Sequence, residues 1–220
     1  MKWIDRLERK FGRYAIKNLM TYIVILNAVV YMLMMIPGTN LLSKFVLEPS
    51  LVLKGEIWRL ITYIFIPPST SPIFIIFVLY FYYMIGSNLE NEWGSFRFNL
   101  YYFLGMLGTT IATFITGGGA TPLYINLSLF LAFAHLYPNF EVLLLFIIPI
   151  KVKYLALINW IVIAWSVIFE PVPYKIAAVV SVVNFLIFFG PDIVDNIKLK
   201  RQVRKNRKRF FSEIEKSRRD

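Results

Sequence analysis

The sequence predicts an all-α integral membrane protein with six transmembrane helices. Hydrophobic residues make up 58% of the 220 residues, which is more than a soluble domain of this size needs for its core. They are gathered in runs of membrane length, of which residues 73–89 are the clearest. Breaks at Pro and Gly separate these runs, so each run is expected to be one helix.

The charged residues lie mainly at the two ends of the chain. Residues 1–18 contain six basic and two acidic side chains, and residues 196–220 contain eleven and three. Basic ends around an apolar middle are typical of cytoplasmic segments that face anionic lipid, whereas a nucleic-acid-binding protein would present its charge on a folded face. We therefore expect cytoplasmic termini that contact anionic lipids, and no nucleic-acid partner.

Three regions follow along the chain. Residues 1–18 are expected to form an amphipathic helix on the membrane surface, residues 19–190 the membrane domain, and residues 191–220 a basic cytoplasmic tail that is partly helical or disordered. The predicted spans are 19–36, 73–89, 98–115, 123–137, 154–169 and 174–189. A long apolar connection, 37–72, joins the first two spans and is expected to be membrane-associated.

Two details of the spans bear on function. The last three are 15 or 16 residues long, which gives about 24 Å of helix against a hydrocarbon core of about 30 Å. Either their true ends lie a few residues further out, or the bilayer thins around them. The third span has a small-residue face suited to close helix packing, formed by Gly105, Gly108, Thr109, Thr110, Thr113 and Thr116. Segment 142–150 is too short to cross as a helix and is expected to lie along the surface.

Two polar motifs flank the second span. The first contains Gly55, Trp58 and Arg59, and the second contains Glu90, Trp93 and Gly94. Indole rings prefer the headgroup level and long cationic side chains reach out of hydrocarbon, so both motifs are expected to anchor their segments at the interface. Glu90 is expected to form a helix-end charge pair with Arg97.

In this order the two motifs resemble the rhomboid superfamily, and most of all its derlin-type and inactive branches. The resemblance implies a six-helix rhomboid-like bundle. Rhomboid proteases use a serine in Gly-x-Ser-Gly at the start of span four and a histidine in span six, and the nearest positions here are Thr121 and Asn184. Pro122 follows Thr121 in place of the motif's glycine, and asparagine cannot act as a base near neutral pH. The resemblance therefore implies that no catalytic residues are present.

Other polar residues in the apolar spans have two possible interpretations. Asn126 and Asn184 either form interhelical hydrogen bonds or line a residual cavity where the protease site would be. His135 lies seven residues after Ser128 on one helix, too far for a nucleophile–base pair, and a pairing with Ser166 or Ser181 stays open. With one histidine and no cysteine, we expect no metal site and no cofactor.

These observations favour a catalytically inactive rhomboid-like membrane protein. By its resemblance it would bind transmembrane segments of client proteins laterally, perturb or thin the bilayer, and serve in membrane protein quality control as derlins do. The alternative is an intramembrane serine/threonine-type rhomboid protease that uses Thr121. A transporter is disfavoured because the spans contain few ionisable residues. The composition favours a bacterial plasma membrane, with the endoplasmic reticulum as the alternative.

Overall fold

The computed structural model describes residues 2–38, 40–68, 71–144 and 147–217. The structure is 79% helical, which confirms the all-α class. Among the described residues, four helices are long and apolar enough to cross a membrane, and a fifth span is counted if the bent pair Trp3–Tyr14 and Leu19–Met34 forms one crossing. The chain is thus an all-α multi-pass membrane protein, with four to five candidate spans in the part that the structure describes, and the predicted number of six is not confirmed.

The N-terminal segment contains helix α1, Lys2–Phe11, and a 3₁₀ turn, Gly12–Tyr14. Helix α2, Leu19–Met34, follows after a bend of 60°. Ile4 of α1 is buried against the protein, and the basic side chains Arg6, Arg9 and Lys10 are exposed. This division agrees with the amphipathic pattern in the sequence.

The long connection between the first two predicted spans is folded. It contains α3, Leu41–Phe45, α4, Pro49–Val52, α5, Arg59–Thr62, and a 3₁₀ turn, Tyr63–Phe65. Each of these helices is too short to be stable alone, so their stability must come from tertiary contacts. Those contacts involve the first of the two polar motifs.

Three helices form the centre of the molecule. They are α6, Pro72–Trp93, α7, Ser95–Thr116, and α8, Leu123–Leu136. Helix α8 packs against α6, α7 and α9, and nearly all of its residues are buried, as expected of a helix that is apolar all round. Helix α6 also packs closely on α2, because a Cβ atom at Gly86 would collide with Met20.

A β-hairpin joins α8 to the next helix. Strands β1, Glu141–Leu144, and β2, Ile148–Lys151, pair antiparallel with Val142 opposite Ile150. The sequence predicted a surface-lying segment here but not paired strands. Pro149 argues against a central strand, yet it is tolerated because a two-stranded sheet consists of edges only.

The last helices are α9, Val152–Phe169, and α10, Val172–Ser217. The predicted break at Gly190–Pro191 is wrong, since α10 continues through Pro191. Proline removes only one helical hydrogen bond, and the lysines, arginines and leucine that follow favour helix. By its internal contacts the chain divides into two compact units, Met1–Asn184 and Phe185–Asp220. All the sites discussed below lie in the first unit.

Candidate functional site

The first motif centres on a buried arginine. Arg59 is 3% exposed, its Nε donates to Glu56 Oε2 at 2.7 Å, and its Nη1 donates to the carbonyls of Ser43 and Val46 at 2.7 Å each. The fork of guanidinium N–H groups matches these convergent acceptors. Arg59 therefore anchors the connection from inside, and the expectation that its head group reaches out to the interface is wrong. We call these four residues the Arg59 cluster.

The neighbours of Arg59 in the motif play different parts. Gly55 has φ +106°, a conformation that favours glycine, and it lies in the turn between α4 and α5. Trp58 is 49% exposed, so its ring remains available at the surface. The motif therefore combines a turn, an exposed indole and an internal tie.

The folded connection is attached to the loop that carries Thr121. Leu47 and Ala120 exchange both backbone hydrogen bonds, at 3.2 and 2.9 Å, and Leu47 is fully buried. Further along, the Tyr63 hydroxyl donates to the Met106 carbonyl of α7 at 3.1 Å. Burial raises the pKa of Tyr63, and side-chain hydrogen bonds with Thr110 and Thr109 act in the opposite direction. The connection is thus held both to α7 and to the loop that follows it.

The second motif centres on a buried carboxylate. Glu90 Oε1 accepts hydrogen bonds from the Asn18 backbone N–H at 2.7 Å and from Ser95 Oγ at 2.6 Å. It thereby links the start of α2 to the start of α7, where orphan backbone donors occur. Gly94, with φ +80° and ψ 155°, makes the sharp turn between α6 and α7. We call Asn18, Glu90, Gly94 and Ser95 the Glu90 cluster.

The expected pair between Glu90 and Arg97 is not formed. Arg97 instead binds Asp5 and Glu8 of α1, each at 3.0 Å. Arg97 is 43% exposed, so it holds α1 to α7 at the surface. The Trp93 ring lies 5.5 Å from the Tyr101 ring, measured between centroids.

The two positions nearest to the rhomboid dyad have unlike surroundings. Thr121 is exposed in the loop between α7 and α8 and lines two cavities, of about 270 and about 280 Å³. Asn184 is buried, and its Nδ2 donates to the Tyr101 carbonyl at 3.3 Å. Asn184 is not among the residues that line either cavity.

The predicted residual cavity therefore contains only one of its two asparagines. Asn126 lines the smaller cavity together with Thr121, Pro67 and Tyr82. For Asn184 the interhelical hydrogen bond is the correct interpretation, since it joins α10 to α7. Three further buried amides lie in the same unit, and those of Asn27 and Asn159 likewise reach carbonyls of other elements.

The serines considered with His135 have other hydrogen-bond partners. The Ser128 hydroxyl lies 2.6 Å from the Tyr101 hydroxyl, Ser181 donates to the Ala178 carbonyl at 2.7 Å, and Ser166 interacts with Tyr124. Tyr101 thus contacts Trp93, Ser128 and Asn184, a central position that the sequence did not reveal. Its only signal was its place just after the second motif.

A family comparison decides which proteins this chain is related to. A model described as eukaryotic integral membrane protein (DUF1751) matches residues 15–190, most of the chain. The chain belongs to this family. DUF1751 is rhomboid-like, as the order of the two motifs predicted, and its eukaryotic description leans against the bacterial plasma membrane. A search among curated proteins finds no match.

Proposed function

We propose that this DUF1751 protein is a non-catalytic rhomboid-like protein that binds transmembrane segments of client proteins laterally, in a derlin-like quality-control role. The observation that carries the proposal is the outer face of α9. This helix buries a single stripe, Val152, Asn159, Ile163 and Ser166. Large apolar side chains such as Leu157, Ile161 and Trp165 are exposed along the rest of it. Because these side chains are exposed, a transmembrane helix of a client could pack against them from the lipid side.

The lengths of the helices support local perturbation of the bilayer. Helices α6 and α7 have 22 residues each, whereas α2 has 16 and α9 has 18. At 1.5 Å per residue, α2 and α9 are about 24 and 27 Å long, against a hydrocarbon core of about 30 Å. Lipids beside the shorter helices must compress or tilt to match them, which lowers the cost of holding an unstable client helix there.

The surroundings of Thr121 and Asn184, the positions nearest to the rhomboid dyad, support the proposal that the protein is non-catalytic. The Asn184 amide donates to the Tyr101 carbonyl, and Asn184 lines neither of the cavities that Thr121 borders. Pro122, which follows Thr121, has no backbone N–H to stabilise an oxyanion. We also infer that both termini are cytoplasmic, that their basic residues contact anionic lipids, and that the host membrane is the endoplasmic reticulum.

Site-specific crosslinking tests lateral binding. The protein would be reconstituted into liposomes with a synthetic single-span peptide that carries one Asn in a leucine run, or with the all-leucine peptide. A photoreactive residue at Leu157 or Ile161, one turn apart on the outer face of α9, should label the Asn peptide several-fold more than the same residue at Ile25. Ile25 is the matched control because it is an exposed apolar residue of α2. Equal labelling from all three positions, or equal labelling of both peptides, would contradict the proposal.

The alternative, an intramembrane serine/threonine-type protease, has one observation in its favour. Thr121 is exposed and borders two cavities, so a substrate could reach its hydroxyl. The same liposomes test it, because cleavage of the peptide would appear as two fragments in mass spectrometry. Cleavage that is lost in Thr121→Ala and kept in Thr21→Ala would replace the non-catalytic proposal with the protease.

A further inference from the structure

The larger of the two cavities is distinct from the one that contains Asn126. It has a volume of about 280 Å³ and lies where the end of α7, the loop 117–122, and the starts of α8 and α10 meet. Its walls include Thr113, Thr116, Leu123, Tyr124 and Tyr174. Except for Thr121, it contains none of the positions that the rhomboid resemblance assigns to catalysis.

The threonines give the cavity a defined hydrogen-bonding character. Thr113 Oγ1 donates to the Thr109 carbonyl at 2.7 Å, and Thr116 Oγ1 donates to the Ala112 carbonyl at 2.9 Å. A hydroxyl has one hydrogen and two lone pairs. Because both hydrogens are directed into the helix backbone, the two oxygens can serve a ligand only as acceptors. A ligand that hydrogen-bonds to these two threonines must therefore be a donor.

The charge of the lining restricts the ligand further. Among the lining residues that the structure describes, none is Asp, Glu, Lys, Arg or His. An ion placed in such a cavity would lose hydration without gaining a counter-charge. The ligand is therefore neutral, which excludes phospholipid headgroups and free phosphate.

The surroundings of the cavity indicate that the ligand comes from the bilayer. Leu123 is both a wall residue and exposed, and Ile115 and Val172, next in sequence to the wall residues Thr116 and Pro173, are exposed as well. Ile115 and Val172 belong to helices of membrane length, and Leu123 begins a shorter apolar helix. The cavity is also at the small end of the range for small-molecule sites, about 300–1,000 Å³, so it would enclose only the polar end of a lipid.

We infer that this cavity binds the hydroxyl-bearing end of a neutral lipid. The free hydroxyl of the lipid donates to Thr113 or Thr116, and its apolar part stays in the bilayer. Diacylglycerol and sterols share this chemistry, but only diacylglycerol also has ester carbonyls, which the Tyr174 hydroxyl could bind as a donor. The inference does not depend on client binding.

Photolabelling in nanodiscs tests this inference. Three photoactivatable probes would be compared: diacylglycerol, a sterol, and triacylglycerol, which has no free hydroxyl. The double variant Thr113→Val with Thr116→Val should be labelled about fivefold to tenfold less than the wild type by whichever of diacylglycerol and the sterol labels the wild type. This decrease is the effect of one or two lost hydrogen bonds. Thr21→Val, a matched change on α2, should label like the wild type. Tyr174→Phe should weaken labelling by diacylglycerol and leave labelling by the sterol unchanged.

Two further variants keep the test decisive if the double variant is unstable. Thr113→Ser retains the acceptor and should label normally, whereas Ala177→Leu fills the cavity, whose wall includes Ala177, and should block labelling. The inference is overturned if triacylglycerol labels as well as the other probes, if neither hydroxyl-bearing probe labels, or if the labelled peptides lie outside α7, the loop 117–122, α8 and α10. Full labelling of Ala177→Leu would overturn it too.

Discussion

The Arg59 cluster and the Glu90 cluster both supply hydrogen-bond partners to backbone groups, but with buried side chains of opposite charge. In the first, a cation collects acceptors that include two backbone carbonyls at the end of the short helix α3. In the second, a carboxylate collects donors at the starts of two helices. Backbone groups of irregular segments at membrane depth must be satisfied within the protein. The comparison teaches that the sign of the buried charge follows from which groups are left over, carbonyl acceptors at a helix end or donors at helix starts.

The largest effect is expected from Arg59→Ala. This change leaves two part-buried carbonyls and the Glu56 carboxylate, whose side chain is 32% exposed, without their donor, and the loss of these charge-assisted hydrogen bonds costs about 3 kcal/mol. We expect a strongly lowered Tm in detergent and rapid proteolysis within residues 40–68. Arg59→Lys keeps the charge but not the fork, so its loss should be smaller. A Tm equal to that of the wild type for Arg59→Ala would show that the cluster does not hold the connection.

A smaller effect is expected from Glu90→Ala. It removes the acceptor shared by the Asn18 N–H and the Ser95 hydroxyl, at a cost of about 2 kcal/mol. Glu90→Gln retains one carbonyl oxygen in nearly the same place and should recover about half of the lost stability. The measurement is the thermal midpoint of the three proteins under one set of conditions. If Glu90→Gln were as unstable as Glu90→Ala, the stabilising effect of Glu90 would come from its charge rather than from its hydrogen bonds.

Gly94→Ala tests whether the turn beside Glu90 requires glycine. The φ of +80° with ψ of 155° is a region that is essentially restricted to glycine, and a side chain there costs about 1.5 kcal/mol. No heavy atom lies within 4 Å of the position that a Cβ would take, so the cost is one of backbone conformation. Gly190→Ala is the control, since that position is also open and has no positive φ. Equal Tm values for the two variants would rule out strain at the turn.

The smallest effect is expected from Arg97→Ala. Its ion pairs with Asp5 and Glu8 are partly exposed, and such pairs contribute about 0.5 kcal/mol. Screening should reduce even this contribution at high salt, whereas the effect of Arg59→Ala should hardly change with salt. Hydrogen exchange of α1 is the more sensitive measurement, because loss of Arg97 should release α1 without unfolding α6 or α7. An effect as large as that of Glu90→Ala would mean that α1 is part of the stable core.

The structure also shows which features could be read from sequence. Helices α6, α7 and α9 were predicted within a few residues of their ends, because long apolar runs bounded by polar residues permit little else in a bilayer. The small-residue face of α7 does pack closely on α10, since a Cβ atom at Gly108 would lie 2.6 Å from Val180 Cγ1. The threonines at the end of that face, however, line a cavity, which their spacing alone could not indicate.

Other features could not be predicted because they depend on contacts between distant parts of the chain. Arg97 was assigned to Glu90, its neighbour in sequence, yet it pairs with Asp5 and Glu8 of α1. The hairpin of β1 and β2 follows from strand pairing that a nine-residue apolar segment does not specify. Asn184 was grouped with Asn126 because both were expected to line a residual cavity where the protease site would be, and only the packing of α10 on α7 separates them.

The sequence by itself determined that this chain is a multi-pass membrane protein, where its longest helices lie, and which two motifs mark it as rhomboid-like. The first two features follow from local composition, since transfer into lipid depends on each segment's own side chains, and the third rests on the resemblance in the order of the motifs. Only the tertiary structure decided that Arg59 turns inward, that Glu90 joins two helix starts, and that Thr121 and Asn184 face different surroundings. The partner of a buried polar group is set by the segments folded around it, and this information is not local in the chain.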